Sequence, residues 1–87
     1  MATWKNFESK MDEAFSSEEL EVIDTLAALH SERIRQGLSQ HDLAQKIGMK
    51  QPQLAKIERM DSLPSLRTLD RYATGLGLKL KLLVTHE

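Results

Sequence analysis

Residues 37–58 read GLSQHDLAQKIGMKQPQLAKIE. Two short apolar-patterned segments lie in this stretch, separated by Gly48. Ser39 is an N-cap residue, whose side-chain oxygen accepts a first-turn N–H. Asp42 sits three positions on and can return the bond, while Leu38 and Leu43 flank the cap as a hydrophobic staple. Leu43, Ala44 and Ile47 mark the inward face, and Gly48 supplies a left-handed stop. The second segment is predicted from about Gln51 to Arg59, with Leu54 and Ile57 inward and Met49 behind them. Pro52 suits its first turn, where N–H groups have no intrahelical acceptor. A helix that opens on Lys50, Gln51, Pro52 and Gln53 presents long polar side chains at its start, and they need something polar to touch.

The flanking sequence supplies a frame for this pair. Upstream, Ser16 and Glu19 have capping-box spacing, with Phe15 and Leu20 as the staple. A helix is predicted from there to about Gln36, with Leu20, Ile23, Ala27 and Ile34 on one face, widened by Val22, Leu26 and Leu29. Gly37 ends it. Further upstream, Trp4, Phe7, Met11 and Ala14 recur at helical spacing within residues 3–15. A helix that short is marginal alone and must pack on something. Downstream, MDSLP is a loop and Ser65 caps another helix. Leu66, Leu69, Ala73 and Leu76 form its buried stripe with Tyr72 beside them, and Gly75 and Gly77 punctuate its end. In LKLKLLV, Leu78, Leu80, Leu82 and Val84 alternate with Lys79, Lys81 and Leu83, which is a strand pattern. A lone strand leaves its N–H and C=O groups without partners. The same strand of a second copy, antiparallel about a two-fold axis, supplies them; a fifth helix docked on the bundle is the competing reading.

The fold class is therefore all-α: a five-helix bundle with a C-terminal strand pairing across a homodimer. Residues 1–17 form an N-terminal helix or extension, residues 18–77 the central helical domain, and residues 78–87 the dimerisation strand and tail.

Composition narrows the function. The 87 residues contain no cysteine, which excludes disulfides and thiolate metal sites. No apolar run approaches a membrane span of about 18 residues and no secretory leader pattern opens the chain, so a soluble cytoplasmic protein without membrane contact is expected. The net charge of −1 hides a split. Residues 1–24 carry Glu8, Asp12, Glu13, Glu18, Glu19, Glu21 and Asp24 against Lys5 and Lys10, a balance of −5, whereas residues 25–87 balance at +4. Such a split suggests two different partners, or else two solvated faces.

Two helices joined by a tight glycine-containing turn form a helix-turn-helix, whose second helix can enter a major groove with its first turn. GLSQHDLAQKIGMKQPQLAKIE together with LPSLRTLDRYATGLG resembles the phage Cro and repressor type of this motif, the XRE family, over about residues 33–77. More narrowly, the acidic N-terminal extension and LKLKLLV resemble HigA-type antitoxins. Those pair with RelE/HigB-like RNase toxins and repress their own operons as dimers.

The resemblance implies double-stranded operator DNA as a partner. It implies that Gln51, Pro52 and Gln53 read base edges: Gln51 with an adenine, Pro52 against a thymine methyl. It places Lys56 on a guanine or a phosphate, Gln40 on a phosphate at the preceding helix, and Lys50 and Arg59 on further phosphates. Arg33 and Glu58 match a partly buried ion pair between the first and third helices of the motif. Leu78, Leu80, Leu82 and Val84 would form the dimer interface. Trp4, Phe7, Met11, Asp12, Glu13 and Phe15 would meet the toxin, the aromatic residues alternatively covering the chain's own core. Two departures stand out. Lys50 occupies the position where the family carries a Ser or Thr cap, and ERMDSLPS replaces a glycine-containing turn.

Catalysis is disfavoured. Ser39, His41 and Asp42 share one helix start and do not converge as a triad. His30, His41 and His86 lack metal-ligand spacing. No enzyme activity, cofactor or metal is expected. A stand-alone dimeric repressor without a toxin is the alternative reading.

Overall fold

The structure, a computed structural model, describes residues 16–86. Within them run four helices: α1 (Ser17–Arg35), α2 (Gln40–Lys46), α3 (Gln51–Glu58) and α4 (Leu66–Gly75). The helix expected over residues 3–15, and with it Trp4, Phe7, Met11, Asp12, Glu13 and Phe15, lies outside the described residues.

Serines start three of the helices. Ser16 Oγ accepts from the Glu19 N–H at 3.2 Å, and the Glu19 carboxylate accepts in return from the Ser16 N–H, a complete capping box. Ser39 Oγ accepts from the Asp42 N–H at 3.0 Å, and Ser65 Oγ from the Thr68 N–H at 3.2 Å. At Ser39 only this half of the exchange forms, since aspartate is one methylene shorter than glutamate. The fourth helix, α3, starts at Lys50 with no side-chain cap.

All four helices end alike. An N–H just past the end reaches back to a carbonyl five residues earlier: Leu38 to Arg33, Met49 to Ala44, Asp61 to Lys56, and Leu78 to Ala73. The residue before each of these donors has positive φ. It is glycine after α1, α2 and α4, but Met60, at φ 61°, after α3. The glycine-free ERMDSLPS turn therefore keeps the usual shape. Met60 carries the strain, about 1–2 kcal/mol for a residue with a Cβ.

The core gathers one stripe from each helix. Ile23, Leu26, Leu29 and Arg33 face in from α1, Leu43 and Ala44 from α2, and Leu54 and Ile57 from α3. Leu69, Tyr72 and Ala73 close it from α4, with Met49 and Leu76 from the connecting turns. The α1 face differs from the sequence reading: Ala27 is exposed, and Ile34 is 58% exposed. Arg33 takes the inward position one turn beyond Leu29, so its neighbour Ile34 is rotated by about 100° to the outside.

Gly75 is the last residue of α4, at the expected end of the helix, but it is buried and its φ is not positive. A Cβ there would sit 2.8 Å from Leu43 Cδ1 and overlap Ile47 Cγ2. It therefore sets the close approach of α2 and α4, while Gly77 makes the turn.

Residues 78–86 form neither helix nor strand in the single chain. A strand ladder needs a second strand, and none of the described residues offers one. Leu80 packs against the core, whereas Leu78, Leu82, Leu83 and Val84 are exposed, Val84 at 96%. Among the described residues no helix is long and apolar enough to cross a membrane.

Two substitutions test these backbone assignments by urea unfolding. Met60→Gly is expected to raise stability by about 1 kcal/mol, because glycine adopts the left-handed region without strain. Gly75→Ala is expected to lower it by about 1–3 kcal/mol through overpacking against Ile47 and Leu43.

Candidate nucleic-acid interface

Helix α3 is two-faced. Leu54 and Ile57 are buried in the core, while Lys50, Gln51, Pro52, Gln53 and Lys56 are exposed. Gly48, at φ 69°, turns the chain between α2 and α3, and the Met49 N–H closes on Ala44 O at 2.8 Å. Ala44, with its small side chain, lets α2 sit close under α3. The first turn of α3 is thus presented at the surface on a short, hydrogen-bonded connection.

Behind that turn lies one carboxylate. Glu58, at the end of α3, has a side chain only 4% exposed. It accepts from Arg33 Nε at 2.8 Å and from Arg33 Nη2 at 3.0 Å, a bidentate pair with α1. Arg33 Nη1 also donates to Leu38 O at 2.6 Å, tying down the connection between α1 and α2. The Tyr72 hydroxyl of α4 donates to Glu58 Oε2. Gln40 Nε2 of α2 donates to Glu58 Oε1 at 2.9 Å. His30 Nε2 stands 3.7 Å from the same oxygen. All four helices meet at this group.

Burial alone would raise the pKa of Glu58, but the bonds from Tyr72, Arg33 and Gln40 outweigh it and hold the carboxyl below its ordinary value. Burial together with the adjacent carboxylate pushes the Tyr72 phenol up. Desolvation opposes the charge on Arg33, and the partner carboxylate more than compensates, so its pKa is raised. The pair is ionised at neutral pH.

The network continues outward. A carboxylate can only accept, so the Gln40 amide nitrogen must face Glu58 and its oxygen must face away. Gln51 Nε2 donates to that Gln40 Oε1 at 3.0 Å. Gln51 is thereby left with its own carbonyl oxygen and its second N–H. The side chain of Gln40 is thus turned toward Glu58 and Gln51, and it is only partly exposed. Arg59 is paired with Asp61, Nη2 to Oδ2 at 2.9 Å, on the exposed surface. Lys50 and Lys56 are in no ion pair among the described residues.

Sequence reasoning missed two polar contributors. The hydroxyl of Tyr72 completes the shell of Glu58, and Arg71 Nη2 donates to Ile47 O at 2.6 Å, satisfying a carbonyl at the end of α2. Each partner lies 14 or more residues away in sequence, so no local pattern signals it.

The helix-turn-helix family model matches residues 29–83. Antitoxin HigA1 of Mycobacterium tuberculosis (strain H37Rv) is 34% identical over 79 residues, covering 91% of this chain and 50% of HigA1. The chain therefore spans about half the length of that relative. An uncharacterized HTH-type transcriptional regulator of Haemophilus influenzae is 35% identical over 85 residues, covering 93% of this chain and 84% of that protein. A chain of a toxin–antitoxin module from Streptococcus pneumoniae superposes with a TM-score of 0.69 at 29% identity, over 99% of this chain and 96% of that one. These relatives carry the names of antitoxins and a regulator, not of enzymes.

Replacing Glu58 by Gln leaves Arg33 buried without its counter-charge. The expected loss is about 3–5 kcal/mol at pH 7, measured by urea unfolding. Because the folded-state pKa of Glu58 is depressed, its contribution is full above the ordinary value of 4.5 and fades as pH falls toward the folded one. The stability gap between wild type and Glu58→Gln should therefore narrow below about pH 4.5.

Proposed function

We propose that this chain, which belongs to the XRE-type helix-turn-helix family, is a sequence-specific DNA-binding antitoxin that neutralises a RelE/HigB-like RNase toxin and represses its own operon. The observation that carries the DNA half is the orientation of Gln51. With one N–H held by Gln40, it offers an acceptor and a donor side by side. Adenine presents the matching N6 donor and N7 acceptor in the major groove. Pro52 and Gln53 share the exposed first turn, and Lys56 lies one turn further along α3. Lys50 and Arg59 supply charge for phosphates. Arg59 has to leave Asp61 to do so, which is cheap, since an exposed pair contributes only about 0–1 kcal/mol. Gln40 adds a phosphate contact through its remaining N–H while keeping Glu58 and Gln51 in register.

Operator binding of this kind uses two copies on a two-fold site. The exposed Leu82 and Val84, with Leu78 and Leu80, are assigned to antiparallel pairing with the same segment of a second copy. Residues 1–24, rich in acids, are assigned to the toxin, with Trp4, Phe7, Met11, Asp12, Glu13 and Phe15 as contacts. The antitoxin name of the mycobacterial relative and the pneumococcal module support this half. A stand-alone dimeric repressor is the second reading, favoured by the Haemophilus relative, which is named as a regulator and matches over most of its own length.

The test is binding of the purified protein to its own upstream DNA at two salt concentrations. Specific binding that weakens with salt is expected. Gln51→Ala should reduce the preference for the operator over one with a substituted adenine by about 5- to 150-fold, equivalent to about 1–3 kcal/mol. A folded protein that shows no sequence preference would overturn the DNA reading. Co-purification with the product of a neighbouring small reading frame separates antitoxin from stand-alone repressor.

A further inference from the structure

A surface cleft of about 380 Å³ opens between α2 and the first turn of α3. His41, Ala44 and Gln45, at positions i, i+3 and i+4 of α2, line one wall, and Lys50 and Gln51 line the other. Ala44 and Met49 are its buried apolar part. The exposed rim consists of donors: the imidazole of His41, the amides of Gln45 and Gln51, and the ammonium of Lys50. No carboxylate lines it. By contrast, Glu18 and Glu21 line the groove beside α1, and Asp70 lines the cleft between α2 and α4.

The side chains of His41 and Lys50 are in no ion pair among the described residues. Asp42 follows His41 on α2, and Lys50 is the one other charged group on the cleft; α1 and α4 contribute none to its lining. Such a rim suits a phosphodiester, an anion that accepts from several donors at once. The carbons of its sugar can lie on Ala44 and Met49. The position suits it as well. When the second helix of a helix-turn-helix enters a major groove, the first helix crosses the sugar–phosphate backbone. The cleft lies between the two helices, with Gln51 on its edge.

We propose that His41 and Lys50 hold one backbone phosphate across this cleft, and that His41 binds it as the imidazolium, so that the grip on DNA tightens as pH falls. This rests on the DNA half of the proposed function and adds to it a contact whose charge changes between about pH 5 and 8. The phosphate stabilises the protonated imidazole, so binding takes up a proton. By linkage, affinity is highest at low pH and falls as pH rises through the histidine range. Lysine stays charged throughout that range, so the contact weakens without vanishing.

The test is binding of the full chain to its own upstream DNA at about pH 6 and about pH 8, at fixed salt. Wild type should bind about 3- to 10-fold tighter at the lower pH, tenfold being what a rise of one unit in a histidine pKa supplies. His41→Gln should bind equally at both. At the lower pH its dependence of log affinity on log salt should be shallower by about 1, the loss of one phosphate contact. Its preference for operator over other sequences should match wild type, because phosphate contacts carry no sequence information. His41→Lys, charged throughout, should bind at both pH values about as wild type does at the lower one. His41 is exposed, so both variants are expected to fold, and circular dichroism checks this. His30→Gln, at the histidine 3.7 Å from Glu58, should keep the wild-type pH response. Specific binding of equal affinity at both pH values would overturn the proposal and leave base contact by Gln51 standing. So would a pH response retained in His41→Gln or lost in His30→Gln. A folded chain with no sequence preference at either pH fails at the DNA reading itself, and the phosphate clamp falls with it.

Discussion

The buried carboxylate of Glu58 is the group on which the arrangement of the bundle depends. Its charge is removed from water and then compensated by donors from Arg33, Gln40 and Tyr72, one on each of the other three helices. A buried ion pair of this kind adds little net stability over an apolar replacement, but it strongly penalises any arrangement that separates the partners. Its contribution is specificity of packing. Apolar residues such as Leu43 and Leu54 tolerate small shifts of register; a carboxylate with directional donors does not. For α2 and α3, both short, this constraint fixes an orientation that propensity alone would leave loose.

The same group joins stability to the polarity of the exposed first turn of α3. The polarity of Gln40 follows from its contact with a pure acceptor, and the polarity of Gln51 follows from Gln40. A glutamine free in solution presents its oxygen and nitrogen either way round. Here the choice is made in the core and passed outward through two hydrogen bonds. The absence of a cap at Lys50 belongs to the same economy. A Ser or Thr there would stabilise α3 by about 1 kcal/mol. Lysine gives up that bond and places a cation, unpaired among the described residues, beside the exposed first turn.

Much of this was legible in the sequence because much of it is local. Ser16 with Glu19, Ser39 with Asp42, and Gly48 after Ile47 all act within a few residues, and pattern suffices to find them. The pairing of Arg33 with Glu58, 25 residues apart, came from family resemblance and not from periodicity. What escaped was tertiary. The role of Gly75 is visible only once Ile47 and Leu43 lie across from it. Arg71 and the Tyr72 hydroxyl find partners on other elements. Ile34 was misplaced because the inward stripe of α1 ends on an arginine, which a hydrophobic count does not enter as core. Met60 takes a conformation that sequence assigns to glycine, since the reach of Asp61 back to Lys56 is satisfied all the same.

Helix α1 runs from the Ser16 cap to the Glu58 network. It has 19 residues and a length of about 28 Å. Its first turn, through Glu18, borders an apolar groove shared with Leu66 and Leu69 of α4 and with Leu80 and Leu82, and its last turns hold Glu58 through Arg33. A change at the N-terminal end can reach the exposed first turn of α3 only by moving this rod against α4. The polar end resists such motion, because sliding α1 would separate Arg33 from Glu58. The apolar end resists less, because Val22 and Leu80 are only partly covered. The contacts that hold α1 are thus unequal along its length: a directional ion pair at its C-terminal end, where Gln40 and Gln51 follow from Glu58, and apolar packing alone at its N-terminal end.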